Sequence, residues 1–138
     1  MKTTMRVLAI VMLVAVTSWQ NTMPAHAAYP NPQYDITGVW QINVIGGGTM
    51  QVFQEKDLVN ALVVDKNFAH RLAGRYVSKT KIRMIVIRRD RSTGCEMTFQ
   101  LDLTVNSNTS ISWMSTALET ACGINSGQTF SYSLIRTA

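Results

Sequence analysis

Eight carboxylates, a single histidine beyond residue 27, two cysteines and a dense run of arginine and lysine are the side chains with which this chain could do chemistry. Glycoside hydrolysis needs two carboxyl groups facing each other, about 5 to 10 Å apart. The acids here, Asp35, Glu55, Asp57, Asp65, Asp90, Glu96, Asp102 and Glu119, fall mostly in turns or on outward strand faces, the placement of solvated surface groups. Nucleophilic catalysis needs a base beside the nucleophile, and only His70, at a strand start, is available for that role. Gly46-Gly47-Gly48 lacks the following helix and the Lys-Ser/Thr pair of a phosphate loop, so it reads as a hairpin turn. The two cysteines form no Cys-x-x-Cys, and no metal site or cofactor is expected. Binding is therefore expected, not catalysis.

The cations are more suggestive. Arg71, Arg75, Lys79, Lys81, Arg83, Arg88, Arg89 and Arg91 put eight positive charges into twenty-one residues, opposed there by Asp90 alone. On a strand, Lys79, Lys81, Arg83 and Arg89 share one face while Ile82, Met84 and Val86 share the other. Lys79, Lys81, Arg83, Arg88, Arg89 and Arg91 thus make a candidate anion-binding face, suited to envelope polysaccharide, lipid headgroups or an acidic protein. The run lacks the interleaved aromatics that stack bases, so nucleic acid is not an expected partner. Ile85 and Ile87 fall on the basic face. They require a bulge, burial on both sides or an apolar patch within a basic rim. A solvated strand face whose cations discourage edge pairing would account for the same residues.

Residues 1–27 read as an export signal. Lys2 and Arg6 open it, residues 7–16 are an unbroken apolar run, and Ala25-His26-Ala27 supplies the small-x-small cleavage pattern. A membrane span needs about 20 apolar residues, twice what is present, so no span is expected after cleavage. Cleavage would leave 28–138, enough for one small domain, and would lower the formal charge from +5 to +3 by removing Lys2 and Arg6. The expected compartment, periplasmic or extracellular, is oxidising. Cys95 and Cys122 are then expected to form one disulfide, stabilising the fold by about 3.5 kcal/mol on the chain-entropy view.

What must position these side chains is a set of strands. In 95–105 Cys95, Met97, Phe99, Leu101, Leu103 and Val105 alternate strictly with Glu96, Thr98, Gln100, Asp102 and Thr104, which is the period of a half-buried strand. Similar runs occupy 38–44, 49–54, 58–64, 70–77, 81–88, 110–115 and 129–136, separated by short polar turns. The fold class expected is all-β: an eight-stranded antiparallel up-and-down barrel over 38–138, because closure alone removes both unpaired edges. Residues 28–37, with Pro30 and Pro32, read as an irregular lead-in.

Ile36-Thr37-Gly38-Val39-Trp40, the eight-run meander and Arg136 near the end of the chain together resemble the calycin barrels, the lipocalins and avidins. The resemblance implies that Gly38 and Trp40 close one barrel end with Arg136 packed across the indole. Leu72-Ala73-Gly74-Arg75-Tyr76 is similar to a Gly-Arg-Tyr strand of bacterial avidins. The biotin ligands do not carry over, since Ile42 and Gly46 stand where that family has asparagine and serine. Architecture alone is implied. The large inward residues are expected to fill most of a narrow barrel, leaving a shallow mouth with Phe99, Trp113 and Tyr132 as candidate ligand-lining residues. The expected function is non-catalytic binding, of a small apolar molecule at the mouth or of an anionic partner on the basic face. The alternative is an inhibitor of an envelope or extracellular hydrolase acting through its loops.

Overall fold

A computed structural model describes residues 30–43, 47–65 and 69–138. The expected export signal, the first two residues of the lead-in and Gly46 of the triglycine turn lie outside the described residues. Eight strands follow in chain order: β1 (Gly38–Ile42), β2 (Gly48–Glu55), β3 (Leu58–Asp65), β4 (Ala69–Tyr76), β5 (Lys81–Arg89), β6 (Glu96–Ser107), β7 (Ser110–Ala117) and β8 (Thr129–Arg136). Each pairs antiparallel with its neighbour in sequence, and β1 pairs with β8, so the sheet closes into a barrel with no helix among the described residues. The one disulfide joins Cys95 to Cys122.

Period-two alternation builds the core. On β5 Ile82, Met84 and Val86 are buried while Lys81, Arg83, Ile85 and Ile87 are exposed, and on β6 Met97, Phe99, Leu101, Leu103 and Val105 are buried. The β5–β6 ladder runs without a shift from Lys81↔Thr104 to Arg89↔Glu96. Of the three accounts of Ile85 and Ile87, the ladder leaves the apolar patch: both are outward and more than half exposed. Phe53, 54% exposed, joins them along the register row Phe53, Asn60, Ala73, Ile85.

One barrel end is closed by the lead-in. Ile36 is fully buried, Trp40 Nε1 donates to its carbonyl at 2.9 Å, and the Arg136 guanidinium lies 5.4 Å from the Trp40 ring centroid. Arg136 also donates to the Thr37 carbonyl and, at 3.2 Å, to that of Asn108. Trp40 and Arg136 are direct register partners between β1 and β8, so this plug also closes the ring. Gly38 is required there: its φ is 145°, and a Cβ would run into the Ala138 carbonyl oxygen. Buried Tyr76 bonds Gln54 Oε1 at 3.3 Å under the same plug. The lead-in is irregular in backbone, yet it supplies the stopper.

The ladders are not equally long. β4 and β5 pair only between Ala73 and Tyr76 on one strand and Ile82 and Ile85 on the other. Beyond that the two strands part toward the end opposite the Trp40 plug. Gly74 marks the tight part of the seam, where a Cβ would strike the Arg83 carbonyl and Met84 Cγ, a close backbone approach that only glycine permits.

Candidate functional site

At the open end the β5–β6 turn and the long β7–β8 connection meet. Cys95 and Cys122 fasten them with a Cα separation of 5.9 Å, and Leu118 N donates to Thr98 O at 3.0 Å, laying the start of the connection along β6. Beneath the fastened loops is a recess of about 230 Å³. Met97 and Phe99 from β6, Phe130 and Tyr132 from β8, Ile124 from the loop and Arg88 from β5 form its walls, with the disulfide and Asp90 at the edge. The aromatic wall is held by edge-on packing, Phe99 against Phe130 with centroids 6.4 Å apart and Tyr132 against Trp113 at 5.5 Å. Such pairs contribute about 0.5 to 1.5 kcal/mol beyond burial and fix ring orientation.

Of the expected lining residues, Phe99 and Tyr132 reach the recess. Trp113 does not. It is buried behind Tyr132, and its Nε1 donates to the buried Ser115 hydroxyl at 2.7 Å. Met97, Phe130 and Ile124 were not singled out as ligand-lining from sequence. The first two have an inward parity that was legible, whereas Ile124 sits in a loop whose path no periodicity encodes.

Arg88 needs a correction. It does not share the outer face with Lys81, Arg83 and Arg89, because it continues the inward series Ile82, Met84, Val86 and is half-buried at the recess wall. Lys79 lies in the β4–β5 turn and Arg91 in the β5–β6 turn, at opposite ends of a strand that spans about 30 Å. The remaining outer cations are partly matched by acids. Arg83 Nε is 2.9 Å from Asp102 Oδ1, Arg89 is 3.9 Å from Glu96 and Arg75 is 3.5 Å from Asp57. Burial raises the Asp102 pKa, but hydrogen bonds from Gln100 and Arg83 and the charges of Arg83 and Lys81 outweigh it, so the net shift is downward. A second hollow of about 570 Å³ spans β5 to β8 around this ion pair. Outward Thr104, Ser112 and Ser131 share its walls with Ile82, Leu103, Met114, Tyr132 and the expected ligand-lining residue Trp113.

Asp90 belongs to the rim. Its Oδ1 accepts from Ser92 N at 2.7 Å, Ser92 Oγ at 2.6 Å and Thr93 N at 3.1 Å, and these bonds, the Ser92 hydroxyl foremost, lower its pKa. The carboxylate therefore shapes the turn that carries Cys95. The other acids remain scattered, and among the described residues no three His, Cys, Asp or Glu side chains converge as a metal site would require. Comparison with protein-family models, curated proteins and solved structures returns no match for this chain.

Proposed function

We propose that this protein is an exported, calycin-type binding protein that acts without catalysis and takes a small, largely apolar molecule into its mouth. The observation that carries this reading is the 230 Å³ recess walled by Met97, Phe99, Ile124, Phe130 and Tyr132 at the one barrel end that the lead-in does not stopper. An apolar pocket with few polar groups on a rigid frame is the usual form of a small-molecule site. Most such pockets occupy about 300 to 1,000 Å³, so a compact ligand is implied here. Export is supported by the basic, apolar and small-x-small order of residues 1–27, and a disulfide suits an oxidising compartment. Native mass spectrometry of protein recovered from its own host should show retained small-molecule mass. Apolar ring probes should also change the emission of Trp113 through Tyr132. A probe that perturbs no tryptophan and leaves every amide unshifted would contradict the reading.

The second reading, inhibition of an extracellular hydrolase, draws on the rim: two loops stapled by Cys95–Cys122 over rigid strands are a preorganised surface for a partner. Under it, the protein would co-purify with an enzyme, and rebuilding residues 90–94 would weaken that complex. Binding of an anionic polymer is favoured less, because three of the outer arginines already face carboxylates. Neutralising Arg89 and Arg91 should then change retention on such polymers little.

A further inference from the structure

We propose that the mouth ligand is a compact monoanion, a single ring or short chain ending in a carboxylate or similar group, and that Arg88 holds its charged end. This deepens the small-molecule reading above and rests on it.

The position of Arg88 is the first reason. Three inward residues of β5, Ile82, Met84 and Val86, are buried, and the fourth inward place, in register with Met97, is a guanidinium. Its aliphatic stem can lie along the apolar wall while the charged head meets the recess. Volume is the second. A cavity of about 150 Å³ accepts benzene, so 230 Å³ accommodates one ring plus a small polar group. Chemistry is the third. A carboxylate can accept two charge-assisted bonds in the fork geometry that arginine presents, which an uncharged group of the same shape does not match in strength.

Asp90 is the other charged group of this site. Its Oδ1 is engaged by Ser92 and Thr93, and it stands at the solvent edge where salt screens it. Arg88 is the one cation among the residues that wall the recess, so it can pair a single carboxylate.

The test titrates the purified protein calorimetrically with phenylacetate, its uncharged analogue phenylacetamide, and zwitterionic phenylalanine. Phenylacetate should bind at least about tenfold more tightly than the amide, the scale of one charge-assisted contact. Arg88→Met should remove that gap while leaving amide affinity nearly unchanged, and Arg88→Lys should narrow it. Arg89→Met, on the outer face, should leave the gap intact. Should Arg88→Met fail to fold, Arg88→Lys decides: a gap unchanged in that variant overturns the assignment. Equal affinity for acid and amide in the unaltered protein overturns the anionic ligand but leaves the apolar recess standing. Preference for phenylalanine would shift recognition to Asp90 and overturn the monoanion. No binding of any of the three up to about 10 mM, an affinity scale below about 3 kcal/mol, would remove the recess reading as well.

Discussion

A single hydroxyl, that of Ser115, decides whether the wall behind the recess stays in place. Ser115 is buried and accepts the Trp113 indole proton, and Trp113 in turn backs Tyr132. Ser115→Ala should cost about 1 to 3 kcal/mol in urea unfolding, because it strands a buried donor. Adding Trp113→Phe should then cost less than it does alone, a coupling that a double-mutant cycle reads directly. Additive costs would mean that the bond carries no stability. Sequence alternation places Trp113 indoors correctly but does not say what stands in front of it, since parity reports a face and not a depth along the barrel. Arg88 shows the converse. Its parity with Val86 was legible, yet its membership of a basic run hid it among surface cations.

Strand pairing sets where the barrel is tight and where it is loose. Gly74 sits in the four-residue β4–β5 ladder with the Arg83 carbonyl against the space a Cβ would fill. Gly74→Ala should therefore force the strands apart and destabilise by about 1 to 3 kcal/mol, the usual cost of overpacking. Amide exchange should speed up first at the register partners Arg75 and Arg83, and equal protection in both proteins would refute the constraint. All eight strand runs were readable to within a residue or two, because polar turns interrupt a period of two. The first run was expected over 38–44, and the strand ends at Ile42; residues 44–46 lie outside the described residues. Ladder length, by contrast, depends on twist and on contacts between segments far apart in sequence, which is why the short β4–β5 seam was not anticipated.

The molecule as a whole has one stoppered end and one open end, and the two respond to different variables. Under the stopper, burial first and the Asp35 charge second push the Tyr76 phenol up to about 12. A raised folded-state pKa means that this contribution is complete below pH 10, where the phenol is neutral in both states. It is lost as pH climbs from there to about 12, since the unfolded chain ionises first. Stability should thus fall above pH 10, and Tyr76→Phe should flatten that alkaline limb; an unchanged limb would exclude Tyr76 as its cause. Closure of the ring was inferable, because eight antiparallel strands leave no better fate for their edges, and the Trp40–Arg136 pairing followed from the calycin resemblance. The recess was only half visible: its aromatic walls were in the pattern, while the fastening of two loops over them depends on where the disulfide lands in space. The most direct test of the account is amide chemical-shift mapping during titration with phenylacetate and phenylacetamide. Shifts concentrated at Arg88, Met97, Phe99, Phe130 and Tyr132 are predicted, with the loops around Cys95 and Cys122 following. Shifts confined to the outer wall near Phe53, Ile85 and Ile87, or no shifts at all, would contradict a mouth that binds.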